Sequence, residues 1–430
     1  MKPFQIGVLI FFVVLAMGAV FIFATFTGSN RDDVGTVSVW GTINEETVFE
    51  VLNAVNRNNN GYEGVSYQQI PSERFIETLV EAIAAGRGPD LVLLPSEAVV
   101  NEQDKLVPIS YRTVSRRAFQ DSFIEAGEIF LTDDGVLGLP FYIDPFVMYW
   151  NRTLFSRGGI ARPPQFWDEL SDIAPALSQS TENGTLTQSA VALGEWSNVD
   201  HAKDILVSLI AGLGNPIITP NDQGRLVATL TETGGAATPP AESALRFYTE
   251  FADPVKSVYS WNRSQKNSQQ AFLSGTLAVY FGRASEVFRI REANPNLNFD
   301  IAPYPTVRGG FVAIPAELHA LSIPRGARNP QGALQVAVVL AGAQTQTSLV
   351  EISGLPSVRR DVLSVSPENP YEAVFQSSAL NAFAFRDPDP TATDAIFGSM
   401  IENISSGRLS ISEALRSGQS ELNALLGVVQ

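Results

Sequence analysis

Cysteine is absent from the 430 residues, and histidine occurs only twice. The first absence removes disulfides, thiolate metal sites, cysteine nucleophiles and the lipid-carrying cysteine of a bacterial lipoprotein together. Charged residues are few, at 17%, and basic ones are the minority, 29 against 45 acidic, for a net charge of -16. Such a chain repels phosphate backbones and anionic head groups, which argues against nucleic acid as a partner. No HExxH, GxSxG or Walker pattern occurs, so the common motif-borne hydrolase and nucleotide chemistries have no foothold. What is present is 45% hydrophobic sequence, the composition of a globular protein. The length exceeds that at which single cores stop growing, so two units of roughly 150 to 200 residues are expected.

The longest uncharged apolar run lies at the amino terminus, from Pro3 to Thr27. At about 1.5 Å per residue it crosses a ~30 Å hydrocarbon layer, and it exceeds the h-region of a secretory signal, so it reads as an uncleaved signal anchor over 1–30. Cleavage near Ala16 or Ala19 is the alternative reading. Lys2 favours the cytoplasmic side, which puts the remaining body on the extracytoplasmic face.

After it, GTVSVWG alternates as a strand, with Val37 and Val39 on one face. A helix follows, capped by Asn44 and striped by Val48, Phe49, Val51, Leu52 and Val55. A second strand (GVSYQQI), a second helix from Ser72 to Gly86 and a third strand (DLVLL) complete a βαβαβ pattern. That order is the mark of a parallel α/β sheet, whose ligands sit beyond the carboxyl ends of the strands. Those ends are Trp40-Gly41-Thr42 and Pro95-Ser96-Glu97. Farther on, helices dominate, with short strands at LAVYF and NFDIAPY, and GTLTQS and TETGGAATPP read as exposed loops.

One stretch resists a simple reading. GVLGLPFYIDPFVMYWNRTLF, Gly135 to Phe155, sets the single carboxylate of Asp144 in an apolar, aromatic run. Burying it unpaired costs at least ~2 kcal/mol, and Pro140 and Pro145 remove two backbone donors, so two strand-like pieces meeting at Asp144 are expected. The carboxylate either caps its own turn or faces a wet site.

The chain resembles the extracellular solute-binding proteins of ABC importers, in the carbohydrate-binding, maltose-binding-protein-like branch. The resemblance rests on six segments in order: VSVWG, AIAAGRGPDLVLL, the Asp144 stretch, GIARPPQFWDEL, AFLSGTLAVYF and SGLPSVRRDV. It implies an α/β fold of two lobes joined by a hinge, with an interlobe ligand cleft, preceded here by the amino-terminal transmembrane helix. The implied division is 34–143 plus 306–354 for lobe 1 and 144–305 plus 355–430 for lobe 2. It also implies capture of a sugar or oligosaccharide, delivery to ABC permease subunits, a monomeric state and no cofactor or metal.

A sugar presents apolar C–H faces and a rim of hydroxyls, so its site needs flat aromatics and planar polar groups. Trp40, at the end of a strand, is the stacking candidate on position alone, against a core role. On the resemblance, Asp144 points into the cleft to accept hydroxyls, Thr42, Ser96 and Glu97 bring polar groups from the strand ends, with helix capping the rival role for Ser96 and Glu97, and ALGEWSNVDH brings Glu195 and Trp196, with Trp196 favoured. Arg283 stands where the family carries an aromatic, which raises acidic sugars as ligands, with a salt bridge as the rival role. Glu317 and His319 precede a return to lobe 1 near the hinge. Phe383 and Phe385 read either as core or as a distal aromatic wall, with core packing favoured.

Two other classes stay open at this level. A glycosidase would need two carboxylates flanking one bond, for which Asp144 with Glu97 is a formal pair; a ligand sensor would differ only in lacking a permease. DPDPTATD spaces oxygens like a calcium loop but lacks the Gly and the bidentate Glu, and reads as a turn leading into a helix.

Overall fold

The alternation in VSVWG places Val37, Val39 and Gly41 in the interior and leaves Ser38 and Trp40 half-buried, which defines strand β1 (Val37–Gly41). The computed structural model describes residues 33–367 and 369–428; the expected membrane segment over 1–30 lies outside them. Helix α1 (Glu45–Asn58) starts where the Asn44 side chain accepts from the amides of Glu46 and Thr47, 2.9 and 3.3 Å away. Its buried stripe is Val48, Val51, Leu52 and Val55. Phe49, expected in that stripe, is 61% exposed, because it falls at the flank of a face set by the 48-51-52-55 spacing. Strand β2 (Val65–Gln69), helix α2 (Ser72–Ala84) and strand β3 (Leu91–Pro95) follow. Both β2 and β3 pair with β1 in parallel.

The Asp144 stretch forms one strand, β4 (Leu139–Asn151), and not two. The expectation of a break is corrected, for a reason that lies in its partners. Residues 139–145 of β4 pair antiparallel with β11, while from Phe146 on it pairs with β9 and from Met148 with β10. Pro140 lies beside a bulge, where Phe141 is left over between the His319–Tyr142 and Ala320–Pro140 pairs. Its carbonyl is taken by the side-chain amide of Gln346 at 2.8 Å. Pro145 lies at the handover between partners, where its carbonyl accepts from Ala284. Both missing amide protons thus fall at irregular points of the ladder.

The remaining strands are β5 (Gln179–Ser180), β6 (Leu186–Val191), β7 (Ile218–Pro220), β8 (Leu226–Ala228), β9 (Leu277–Arg283), β10 (Phe299–Ala302), β11 (Ile314–Ser322) and β12 (Ala382–Phe383). GTLTQS, expected as a loop, runs into β6, which pairs with β9. A single ten-stranded sheet runs β2-β1-β3-β11-β4-β9-β6-β5, with β10 on β4 and β12 on β11, and β7-β8 forms a separate hairpin.

Two hydrophobic cores flank this sheet. The first gathers Val34 through Ile143 with Leu318 through Leu349 and also Val358, Leu363, Ala379 and Ala382. The second gathers Phe146 through Ile314 with Leu355, Phe375 and Ile396 through Leu422. Two strands therefore cross between cores, β4 at 143–146 and β11 at 314–318. The second crossing falls at 314–318, and Val358, Leu363, Ala379 and Ala382, beyond 355, pack on the first core. Helices α3 (Ala202–Gly212), α4 (Glu286–Ala293), α5 (Ala343–Ser353), α6 (Pro390–Ser405) and α7 (Ile411–Leu425) pack around the cores. Among the described residues, no single helix is long and apolar enough to cross a membrane.

Candidate functional site

Between the two cores lies a cleft of about 950 Å³, of the size that takes a small organic ligand. Its walls come from the carboxyl ends of β1, β3 and β9 and from the stretch after β6, with the start of α2, the middle of β11 and the turn before α6 closing the rest. This is the position that an α/β sheet reserves for ligands.

Of the residues singled out from sequence, Thr42, Ser96, Glu97, Trp196, Arg283, Glu317 and His319 line it. Phe383 and Phe385, for which core packing was favoured, line it too while also packing on the second core, and Phe146 joins them. The indole of Trp196 lies over Gly398 of α6, where an added Cβ would come within 2.7 Å of the ring.

Trp40 and Asp144 are not among the lining residues. Trp40 is in register with Gln68 on one side and Val92 on the other and packs on the first core; it stands two residues, about 6.6 Å, short of Thr42 at the strand's end. The expected placement of Asp144 facing the cleft is corrected as well. It is 2% exposed and accepts from the amide of Ser285 at 3.0 Å. Burial pushes its carboxyl up to about 6, partly offset by the Ser285 bond and Arg283. Glu195 also turns away, buried and paired with Arg263 at 3.1 Å.

An ion-paired network forms the back of the cleft. Arg283 pairs with Glu317, whose other oxygen meets Nε2 of His319 at 2.7 Å. Glu317 stands directly across the ladder from Asp144. Burial alone would raise Glu317, but Arg283 and His319 outweigh it and bring it down to about 2. Behind Arg283, Glu286 accepts from the Arg283 amide at 2.9 Å and from Tyr280 Oη at 2.6 Å and meets His201 Nε2 at 2.9 Å. These bonds overcome burial and lower Glu286 to about 2, while the same pair raises His201 against the effect of its burial.

Sequence reading missed the second cationic group. Lys203, at the start of α3, meets Asp387 at 3.1 Å and Asp394 at 2.5 Å. DPDPTATD does lead into α6, with Asp389 accepting from the Ala392 amide and Pro390 in the first turn. It also delivers Asp387 and Asp394 to the cleft, a pairing across 184 and 191 residues that no local pattern announces.

The cleft is acidic. Glu73, Glu77, Glu97, Glu102, Asp200, Asp204, Glu317, Asp387, Asp389 and Asp394, ten carboxylates, line it against the two fixed cations Lys203 and Arg283. Glu97 opens onto it, and desolvation between the walls, reinforced by Asp204, Glu317 and Asp387 against Lys203, holds its carboxyl above the usual range. Among the described residues no group of three His, Cys, Asp or Glu side chains could hold a metal ion.

A fold of two cores on a shared sheet, with its cleft at the strand ends, is one that solute-binding proteins adopt. Residues 50–376 match the family model of the bacterial extracellular solute-binding proteins, and the chain belongs to that family, which places its body outside the cytoplasm. Over 249 residues, 56% of this chain, it is 24% identical to a Brucella abortus protein named only as a binding protein; the match spans about half the length of the curated relatives, 55%. The fold is shared with the sugar-binding protein MalE of Xanthomonas citri (20% identity, TM-score 0.72, 91% of this chain and 97% of that one). It is also shared with a Thermotoga lettingae ABC transporter solute-binding protein bound with α-D-tagatose (22% identity, TM-score 0.68, 91% and 100%). These relatives are binding proteins, not enzymes.

Proposed function

We propose that this protein captures a sugar or short oligosaccharide between two closing lobes and hands it to the membrane subunits of an ABC importer, acting as a monomer tethered by its amino-terminal segment. The observation that carries the reading is the lining of the cleft. Trp196, Phe383 and Phe385 offer apolar rings beside the hydroxyl of Ser96, the carboxylate of Glu97 and the hydroxyl of Thr42, the pairing of flat and polar surface that a sugar requires. The sugars named for the neighbouring structures agree with it.

In this reading Trp196 stacks on a sugar face, Ser96, Glu97 and Thr42 take hydroxyls, and the ion pair of Arg283 with Glu317 stiffens the back wall. Asp144 serves the hinge, not the ligand. Acidic sugars lose the support that Arg283 lent them, because its guanidinium is engaged by Glu317. No bond is made or broken in the solute.

The test is thermal unfolding of the purified full chain against neutral mono- and oligosaccharides, uronic acids and polyols. A ligand at about 100 times its Kd adds ~2.7 kcal/mol, so a binder raises the midpoint clearly. Trp196→Ala should weaken a neutral-sugar hit by roughly tenfold, the ~1.4 kcal/mol scale of an aromatic contact. A folded protein that ignores every sugar would sink the reading.

A further inference from the structure

Among the described residues the cleft holds acceptors in excess, and each of its two fixed cations is paired with a carboxylate. Its two fixed positive charges are spent inside the protein, Arg283 on Glu317 and Lys203 on Asp387 and Asp394. Glu97, by contrast, makes no hydrogen bond or ion pair with any described residue, and Glu77, on the same wall, makes none either. A second feature points the same way. His319 is 1% exposed, its Nε2 meets Glu317, and its Nδ1 is buried in the wall without a partner among the described residues. In the neutral ring with its Nε2 proton directed at Glu317, Nδ1 is a lone-pair acceptor. A ligand anion would meet carboxylates on every wall except at Arg283, which is partly exposed and whose Nε has no partner among the described residues, whereas a ligand donor meets Glu97 unengaged.

We infer that the solute carries a protonated amine, seated against Glu97 between the two lobes, so that within the sugar reading the ligand is an amino sugar. The inference rests on that reading for the sugar but not for the charge. An ammonium among carboxylates within a Debye length is attracted before contact, and the chain's net charge of -16 adds to the same field. A metal ion is a poorer occupant, because among the described residues no three ligating side chains converge. Ammonium donors also satisfy several acceptors at once, which a neutral hydroxyl does less well.

The experiment is calorimetric titration of the full chain with matched probes: a glucosamine oligosaccharide, its fully N-acetylated form, the corresponding glucose oligosaccharide, spermidine and calcium ion. The expected result is binding of the free amine at least about tenfold tighter than the N-acetylated and neutral forms, with the advantage shrinking as salt is raised. Glu97→Gln should narrow the ratio of amine to neutral affinity, and Glu77→Gln, on a solvent-facing helix position, should narrow it less. Equal or tighter binding of the N-acetylated or neutral form overturns the charge inference and leaves the sugar reading intact. Binding of spermidine with no sugar bound upholds the charge and sinks the sugar. Binding of calcium alone, or silence from every amine by a cooperatively folded protein, overturns the inference outright.

Discussion

Asp144 is the residue whose environment contradicts its charge. It is 2% exposed, has Glu317 directly across the ladder, and has a carboxyl pushed up to about 6. An exposed aspartate titrates near ~3.9, so the folded state binds this proton more tightly than the unfolded one. The sign follows: the contribution to stability is full below about pH 4 and is lost as pH rises through 6. Asp144→Asn keeps a carbonyl acceptor for Ser285 and removes the buried charge. Its unfolding midpoint should exceed that of the wild type at pH 8, by on the order of 2 kcal/mol in stability, and converge with it at pH 4. A variant less stable than wild type at pH 8 would show that Arg283 needs this carboxylate more than burial penalises it.

At the scale of elements, the bulge in β4 depends on a side chain from α5. Gln346 is fully buried, donates to the Phe141 carbonyl at 2.8 Å and accepts from Ser357 Oγ at 2.8 Å. One amide thus ties the crossing strand to the segment after α5. Gln346→Ala leaves a buried carbonyl and a buried hydroxyl unpaired, and should cost about 2 to 4 kcal/mol, read as a lowered midpoint in urea. A loss under about 0.5 kcal/mol would mean that water replaces the amide.

The elements themselves were legible in the sequence wherever a local period set them. The Asn44 cap, β1, β3 and the turn that leads into α6 follow from residues within one turn of each other. The continuity of β4 was not legible, because it depends on β9, β10 and β11, up to about 180 residues away in sequence, arriving on its two sides. The same limit governed the site. Strand-end positions pointed to Thr42, Ser96 and Glu97, and the resemblance pointed to Trp196 and Arg283. The partners of Lys203 were hidden because ion pairs across 184 residues leave no periodic trace. Asp144 was misplaced because a carboxylate in an apolar run gives the same pattern whether it faces a cleft or a buried amide.

At the scale of the whole molecule, two cores share one sheet. β4 and β11 each contribute to both, and Ala379 and Phe375, one turn apart, pack on different cores. Neither half can lose its strands without opening the other. Calorimetric unfolding of the chain should therefore give a single transition, with van't Hoff and calorimetric enthalpies in agreement. Two resolved transitions would mean that the crossing strands fray before either core melts.

The backbone beneath Trp196 sets something that no ligand-touching group sets. Because Gly398 leaves the indole resting on the helix itself, with 2.7 Å to where a methyl carbon would stand, the depth of the ledge is fixed from below. A single carbon at 398 would collide with the ring and force it off the helix. If Trp196 stacks on the solute as proposed, the height of that contact is set by a position with no functional group at all, a gauge block under the measuring surface.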